Sequence, residues 1–375
     1  MEVEVHREGI ESTLEDWERL FADDPEATPF TSPGWARAWV SHWSGSGRPW
    51  IVLVRDAGEP VGIAPLVIGR RGPFRVLSEL GRPPGNYWDV IARPSERAAV
   101  ASAVAREIGR RSSEWDALVL GCLPPSSVTG RALDSGRLRV HRRQPVAYPG
   151  IELPETFEEY LRALPRNRRT NLRRHLRRLD EGPLACREVG DPEQLDASID
   201  RWQDLRVRWW DARGRRLDPE HRAPRFRLFM RDAMRLLVPA GLAAVWEFRQ
   251  GEEVVGVQIN LLDKRRFYWW LGGYDPEFAQ LGLGKTAVGE GIRSSIAAGR
   301  TYYDFMVGAE PYKYWYGATD RHCQWLMATT GRPRSRVALA ANKIVEGAGA
   351  VAHRLRRASQ GGSRKQTRPV EDPDS

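Results

Sequence analysis

The 375-residue sequence is poor in cysteine and has no long apolar run. Its three cysteines, Cys122, Cys186 and Cys323, are widely spaced and form no C-x-x-C pair, which argues against a disulfide framework or a zinc site and fits a reducing cytoplasm. No apolar run approaches the roughly 18 residues that a membrane span needs. The acidic N-terminal segment has no apolar stretch, so we expect no secretory signal.

Several motifs that indicate a particular chemistry are also missing. The seven histidines show neither H-E-x-x-H nor another ligand spacing, so we predict no metal. There is no G-x-S-x-G, the motif typical of a serine hydrolase. With 35 glycines and 26 prolines, the chain stays below the roughly 25–30% that marks low-complexity sequences, which excludes disorder throughout.

The net charge of +9 is concentrated near the C-terminus. Ten lysines and arginines, against one acid, Glu346, lie between Gly331 and Arg368, and the rest of the chain is formally neutral. Val337, Ala341 and later apolar residues recur at helical spacing, which predicts a basic amphipathic helix over residues 331–358. This helix would pack on the body of the protein, or touch an anionic membrane surface or RNA. Residues 359–375 are predicted to be disordered.

A second basic segment lies inside the chain. Residues 162–178 contain eight arginines and no acid, and Leu164, Leu172, Leu176 and Leu179 follow a mostly helical spacing. The pattern predicts an amphipathic helix. It is either a solvated helix paired with acids elsewhere or an anion site, since arginine binds phosphate through two hydrogen bonds. In the second case Arg168, Asn171 and Arg174 are the residues that we expect to contact substrate.

The two halves of the chain repeat one order of elements: two helices, a hairpin, a third strand, a helix and a strand. In the first half the predicted strands are Val52–Arg55, Val61–Ile68, Arg75–Leu80 and Ala117–Gly121. In the second half they are Ala244–Arg249, Val254–Leu262, Arg266–Leu271 and Tyr302–Val307. We therefore predict a mixed α/β (α+β) fold of two tandem domains, residues 1–150 and 151–330. Each would be a mostly antiparallel mixed sheet flanked by helices, with a ligand cleft between them.

A glycine-rich turn is expected to open the last helix of the second half. Gly282 and Gly284 allow close backbone approach, and the first-turn N–H groups of a helix point towards a bound anion. Lys285 and Thr286 add donors, so the segment could hold a pyrophosphate. The alternative is a tight turn with a helix cap.

The stretch after the last strand of the second half combines groups suited to acyl transfer. Asp304 lies in that strand, and Glu310, Tyr312, Lys313 and Tyr316 crowd into seven residues. A carboxylate can accept a proton from an amine, a lysine can stabilise an oxyanion, and a tyrosine can protonate a thiolate. The alternative is an aromatic loop in which Lys313 pairs with a carboxylate.

A polar loop stands at the corresponding place in the first half. Asn86, Tyr87 and Asp89 lie there and could contact an acceptor substrate. A turn that leads into a strand would explain these residues equally well.

These features resemble the CelD/BcsL-type acetyltransferases, a branch of the GNAT superfamily of N-acetyltransferases. The similarity rests on the hairpin, on Gly272-Gly273-Tyr274, on the glycine-rich turn and on the ending from Gly308 to Gly317, with the arginine-rich helix before them. It implies a tandem GNAT-like fold, shared with Fem-type aminoacyl transferases. It also implies that acetyl-CoA or another acyl-CoA runs along a splayed strand at Leu271, Gly272, Gly273 and Tyr274, and that its pyrophosphate lies at the turn from Gly282 to Thr286.

Three functions follow as hypotheses. The first is an acyl-CoA-dependent N-acyltransferase, cytoplasmic and without metal, acting on a small-molecule or sugar amine. In it Glu310 or Asp304 is the base, Lys313 stabilises the oxyanion, and Tyr312 or Tyr316 protonates the thiolate. The second is a Fem-like transferase that takes its acyl group from aminoacyl-tRNA, since the arginine-rich segment suits phosphates. The third is a non-catalytic accessory module of polysaccharide biosynthesis.

Overall fold

Both predicted hairpins are present in the computed structural model, which describes residues 1–43, 45, 47–136 and 138–342. The described residues divide into two units. The first unit consists of residues 1–146 and the described residues from 322 onward, and the second consists of residues 147–321.

The first unit contains a meander of long strands with helices before and after it. Its elements before the second unit are β1 (Glu2–His6), α1 (Leu14–Asp23), α2 (Pro33–Trp43), β2 (Gly47–Asp56), β3 (Glu59–Arg71), β4 (Phe74–Glu79), β5 (Ile91–Ala92), α3 (Arg97–Arg110), β6 (Ala117–Leu123), α4 (Val128–Asp134) and β7 (Arg139–Arg142).

The second unit repeats this order with longer helices. Its elements are β8 (Val146–Glu152), α5 (Phe157–Ala163), α6 (Arg166–Asp180), β9 (Leu184–Val189), α7 (Pro192–Asp211), α8 (Pro219–Arg222), α9 (Pro224–Leu237), β10 (Ala243–Gln250), β11 (Glu253–Leu262), β12 (Arg266–Tyr274), α10 (Leu283–Ala297), β13 (Tyr302–Asp304) and α11 (Pro311–Trp315). The last strand, β14 (Thr319–Thr329), begins in the second unit and continues into the first from His322.

Strand pairing confirms the predicted fold class, a mixed α/β protein with mostly antiparallel sheets. In the first unit β1, β2, β3 and β4 pair antiparallel in order, β4 pairs parallel with β6, and β6 pairs antiparallel with β14. In the second unit β9, β10, β11 and β12 pair antiparallel, β12 pairs parallel with β13, and β13 pairs antiparallel with β8. The first five strands of the two units therefore pair in the same pattern, whereas the sixth is β14, the last strand, in the first unit and β8, which precedes the others, in the second.

Local sequence signals explain where several helices begin. Ser32 precedes Pro33, and its hydroxyl accepts a hydrogen bond from Trp35 N at 3.1 Å, as the cap residue before a proline-led helix should. Asp191 caps α7 in the same way, with its carboxylate accepting from Gln194 N at 3.0 Å. The tryptophans spaced by four on α2, Trp35, Trp39 and Trp43, are all buried, as expected of a core face.

Two elements have bounds in the structure that differ from the predicted ones. The arginine-rich segment forms two helices, because the chain is extended at Leu164 and Pro165 and α6 begins only at Arg166. Leu172 and Leu176 on α6 are buried as predicted. The last strand of the second half ends at Asp304 and not at Val307, because Met306 adopts a φ of 61° and Gly308 one of 108°.

The predicted C-terminal helix is present over residues 333–342, and its later residues, like 359–375, lie outside the described part of the chain. Its buried face differs from the predicted stripe. Val337 is exposed, whereas Ala338 and Leu339 are buried. Asn342 accepts a hydrogen bond from Arg71 at 2.8 Å, so this helix packs on the first unit.

Candidate functional site

The segment after β13 forms a turn that is held from inside by Lys313. Its ammonium group donates to the carbonyl oxygens of Met306 at 3.2 Å, Val307 at 2.9 Å and Gly308 at 2.9 Å. It also pairs with Glu310 at 2.8 Å, and only 4% of the side chain is exposed. The three N–H donors of the lysine are thus engaged within the turn. The expected oxyanion role of Lys313 is not supported by this position, and the residue acts as a brace.

The two acidic residues of this segment lie in different environments. Asp304 is buried, and its carboxylate accepts a hydrogen bond from Met306 N at 2.7 Å, which stabilises the left-handed backbone there. Glu310 precedes the first residue of α11, and 33% of its side chain is exposed. Glu310 is therefore the acid that a bound substrate could reach, whereas Asp304 shapes the turn.

The tyrosines of the same segment pack around Phe305. Tyr312 is half-buried, with its ring edge-on to Phe305 at a centroid distance of 6.0 Å. Tyr316 is buried, and its carbonyl oxygen accepts from the Tyr160 hydroxyl at 3.0 Å. Tyr312 is the better placed of the two to meet a ligand.

Sequence reasoning missed Tyr303, which lies on β13 next to the predicted site residue Asp304. Its ring stacks on Phe267 at 5.0 Å, and it is fully buried. Among the described residues its hydroxyl has no hydrogen-bond partner. Burial raises the pKa of Tyr303 well above its usual value, so the hydroxyl stays protonated.

Strand β12 runs on after its pairing with β13 has ended. The parallel pairing joins Arg266, Phe267 and Tyr268 to β13, and the last pair is Tyr268 with Asp304. Beyond this point β12 continues to Tyr274 alongside β11. Because β13 ends at Asp304, the edge of β12 beyond Tyr268 is not paired with β13, and backbone N–H and C=O groups on that edge could bind a ligand.

The four residues expected to follow the acyl donor on β12 have defined partners. Leu271 and Tyr274 are buried, and the Tyr274 hydroxyl donates to Gln258 at 2.7 Å. The carbonyl oxygen of Gly272 accepts from Arg206 at 3.0 Å. Gly273 faces α7, and a Cβ there would lie 2.5 Å from the Trp202 carbonyl oxygen. Gly273 and Tyr274 thus have packing roles that their sequence position did not reveal.

The turn that opens α10 has the expected form. Gly282 adopts a φ of 61° and precedes Leu283, so Gly284 and Lys285 lie in the first turn of the helix. Thr286 is buried, and its hydroxyl donates to the Gly282 carbonyl oxygen at 3.2 Å. The predicted contact of Thr286 with a ligand is therefore not supported, because its donor is used within the helix.

Residues of α6 add positive charge at this helix start. Arg178 donates to the Leu281 carbonyl oxygen and to His175 Nδ1, the latter at 3.2 Å. His175 is buried, and a Cβ on Gly282 would lie 2.7 Å from its Cε1 atom. Burial, together with Arg178, Lys285 and Arg174, lowers the pKa of His175 to about 4. The imidazole is thus neutral at pH 7, and sequence reasoning had not selected it or Arg178.

The predicted substrate residues of α6 divide into two sets. Asn171 and Arg174 lie on a face that lines an open cavity of about 800 Å³, together with Arg166, Asn167 and Thr170. Arg168 instead donates to the carbonyl oxygens of Tyr314 at 3.0 Å and Trp315 at 3.1 Å. It ties α6 to the end of α11, so a direct contact with substrate is not supported for it.

The predicted acceptor residues of the first unit are mainly structural. Asp89 is buried and accepts from Val128 N at 3.0 Å and Thr129 N at 3.2 Å, at the start of α4. Burial raises the pKa of Asp89, and Arg97 opposes that effect. Tyr87 is buried, and Asn86 is half-buried with its amide oxygen accepting from the Cys122 thiol at 3.9 Å. Of the three, only Asn86 has side-chain surface to offer a ligand.

The described residues contain neither a candidate metal site nor a candidate membrane-spanning helix. Within them no group of His, Cys, Asp and Glu side chains is suited to a metal ion. In residues 1–43, 45, 47–136 and 138–342, no helix is both long and apolar enough to cross a membrane.

Comparison with known proteins gives a family match for the second unit. Residues 166–314, from the first residue of α6 into α11, match the family described as an acetyltransferase (GNAT) domain. The matched segment thus contains the α10 turn, strands β12 and β13, and the turn that Lys313 holds together. No protein with a curated description matches the sequence significantly.

Solved structures resemble the fold over nearly the whole chain. A crystal structure of FemX superposes with a TM-score of 0.62 at 12% identity, covering 87% of this chain and 97% of that one. A conserved protein of unknown function from Bacteroides thetaiotaomicron gives a TM-score of 0.54 at 10% identity, covering 87% of this chain and 100% of that one. At these identities the likeness concerns the fold alone.

Proposed function

We propose that the second unit is an N-acyltransferase that moves an acyl group from acyl-CoA to an amine. One observation carries the proposal: basic side chains of α6 gather where α10 begins, with Arg178 bonded to the Leu281 carbonyl oxygen and Arg174 one helical turn before Arg178. Among the described residues, Arg174 is hydrogen-bonded only to Asn171, and Arg178 only to His175 and the Leu281 carbonyl. Together with the N–H groups of the helix start, they suit a pyrophosphate.

The residues present fit the phosphate end of coenzyme A, which supplies the acyl group as an activated thioester. Arg174, Arg178 and Lys285 would hold the phosphates, with Gly282 and Gly284 allowing close approach. Leu271 and Gly272 lie on the part of β12 beyond its pairing with β13, which would accept the extended arm of the donor. The CelD/BcsL-type resemblance supports the same arrangement.

The chemistry of the reaction centre would come from the turn after β13. Glu310 would accept the proton that the amine loses when it attacks the thioester carbonyl. Lys313 holds that carboxylate in position through their 2.8 Å ion pair. Tyr312 is the candidate to give a proton to the departing thiolate. General acid–base catalysis of this kind contributes roughly 100- to 10,000-fold in rate.

Calorimetric titration of the full-length protein with CoA tests the donor site, using Gly284→Asp against Gly284→Asn. The two variants have side chains of equal size, but only aspartate places a negative charge in the first turn of α10. Aspartate is favourable at a helix N-terminus, so the fold is retained. We expect Gly284→Asp to weaken CoA binding at least tenfold more than Gly284→Asn. Equal binding by both variants, or no binding by the wild type, would refute the donor site.

A second candidate function uses aminoacyl-tRNA as the donor. Arg166, Arg173 and Arg177 on α6 are exposed, which suits contact with a phosphate backbone, and FemX shares the fold. Binding of tRNA would weaken steeply between 50 and 200 mM salt, because each neutralised phosphate releases counterions. Uncharged tRNA titrated at these two salt concentrations separates the candidates. Salt-sensitive tRNA binding without CoA binding would favour the second one.

A further inference from the structure

The C-terminal helix, residues 333–342, is fixed to the first unit by one of its faces. Leu339 joins a small buried cluster on strands β4, β6 and β14, formed by Val76, Val119 and Met327. The Ser335 hydroxyl donates to the Asp116 carbonyl oxygen at 2.6 Å, and Asn342 accepts from Arg71 at 2.8 Å. Ser335, Leu339 and Asn342 are four and three positions apart, so these anchoring residues share one side of the helix.

The opposite side of this helix carries the start of the apolar stripe that the sequence predicts. Val337, the first member of the stripe, is 58% exposed. A helix turns by about 100° per residue, which places Val337 about 140–160° around the axis from each of the three anchoring residues. The stripe therefore begins on the side turned away from the first unit. Its members from Ile344 to Leu355 lie outside the described residues.

Positive charge flanks the stripe. We call the exposed residues of this side the outer face, which consists of Arg334, Arg336, Val337 and Ala340. Arg334 pairs with Asp116 at 3.1 Å, whereas within residues 1–43, 45, 47–136 and 138–342 the Arg336 guanidinium group has no ion pair. From Gly331 to Arg368 the sequence holds ten basic residues and one acidic residue. The exposed apolar stripe thus lies in a segment whose positive charge is largely uncompensated.

We propose that the outer face of the C-terminal helix docks on an anionic phospholipid membrane surface. The apolar stripe enters the boundary between headgroups and acyl chains, and the basic residues beside it pair with lipid phosphates. RNA would satisfy the basic residues but leave the apolar side chains in water. A second copy of the chain would bring two segments of the same charge together. An anionic membrane surface satisfies both the stripe and the charge, and this contact does not depend on the proposed acyl transfer.

Co-sedimentation of the full-length protein with lipid vesicles tests this docking. We expect the wild type to bind vesicles of equal parts phosphatidylcholine and phosphatidylglycerol at least tenfold more tightly than phosphatidylcholine alone, and less tightly as salt is raised. Val337→Gln/Ile344→Gln should weaken that binding at least tenfold, and Arg336→Gln about fivefold. The matched controls are Leu228→Gln, at a 49% exposed leucine of α9, and Arg187→Gln, at an exposed arginine of β9. Both should bind as the wild type does.

The other outcomes each overturn the inference. Equal affinity for the two kinds of vesicle, or no binding of the anionic ones, shows that the outer face does not dock on an anionic membrane. Equal losses in the control variants show that the binding is not specific to this helix. Binding that falls with Arg336→Gln but not with Val337→Gln/Ile344→Gln uses charge alone. Together with salt-sensitive binding of poly(U), that result would assign the basic segment to RNA instead.

Discussion

The α-carbon of Gly273 lies against the backbone of Trp202, so that a Cβ at position 273 would be 2.5 Å from the Trp202 carbonyl oxygen and 3.0 Å from Arg206 N. Helix α7 can approach β12 this closely only because residue 273 has no side chain. The glycine therefore has a packing role beside the expected donor strand.

We predict that Gly273→Ala lowers the free energy of unfolding by about 1–3 kcal/mol, the usual cost of overpacking a tight contact. Denaturant unfolding measures the change. The control is Gly190→Ala, because a Cβ on Gly190 meets no atom within 4 Å. Equal stability of the two variants would show that α7 can move away from β12 without cost.

The turn after β13 gives a prediction that distinguishes the structural role of Lys313 from the proposed role of Glu310 as the catalytic base. Lys313→Met leaves three carbonyl oxygens and Glu310 without their buried cation, which should cost about 3–5 kcal/mol of stability. Glu310→Gln removes the carboxylate charge that pairs with the buried Lys313, and it should lower the unfolding midpoint less than Lys313→Met does, because the three carbonyl oxygens still bind the ammonium group. Its acyl-transfer rate should fall at least 100-fold.

Parallel thermal melts and rate measurements on the two variants check this assignment. Glu310→Gln that turns over at the wild-type rate would remove Glu310 from the role of base. Lys313→Met that is as stable as the wild type would show that the turn does not depend on the lysine.

His175 should make stability depend on pH. Its pKa in the folded protein is lowered to about 4, chiefly by burial and then by Arg178, Lys285 and Arg174, whereas an exposed histidine titrates near 6.5. As the pH falls, the unfolded chain therefore binds the proton at a higher pH than the folded protein does. The contribution of neutral His175 to the free energy of unfolding is complete above pH 6.5 and is lost as the pH falls towards 4. The difference corresponds to roughly 3 kcal/mol.

Urea unfolding of the wild type and His175→Gln between pH 7 and 4 measures this contribution. The variant should show a shallower decline than the wild type, whereas His322→Gln, at an exposed site on β14, should follow the wild type. Parallel curves for wild type and His175→Gln would contradict the assignment. Bound CoA should raise the pKa of His175, because phosphate charge offsets the neighbouring arginines.

Helices α7 and α9 are joined by a ladder of three ion pairs. Arg227 bonds to Asp204 at 2.7 Å, Arg231 to Asp200 at 3.0 Å and Arg235 to Asp196 at 2.9 Å. A double-mutant cycle with Asp200→Asn and Arg231→Gln should give a coupling of about 0.5–1 kcal/mol that falls as salt is raised. The charge-swapped double variant Asp200→Arg/Arg231→Asp should recover part of this coupling energy. A coupling that does not change with salt would mean that the pair acts by packing alone.

Elements with local signals could be predicted from the amino-acid sequence alone. The strand segments on either side of Gly58 and Gly251 predicted both hairpins, and Ser32-Pro33 predicted the start of α2. The repeated order of elements predicted the mixed, mostly antiparallel sheets. These signals succeed because turn formation, helix capping and the burial of one face depend on residues a few positions apart.

Which of the predicted site residues can contact a ligand depends on contacts that form only in the folded chain. Lys313 is occupied by the carbonyl oxygens of its own turn, Thr286 bonds within α10, and Asp89 bonds to the start of α4. Conversely, His175 and Arg178 join the site because α6 packs beside a turn more than 100 residues away in sequence. The spacing of residues in the sequence does not predict such contacts, because they depend on which distant parts of the chain lie together after folding.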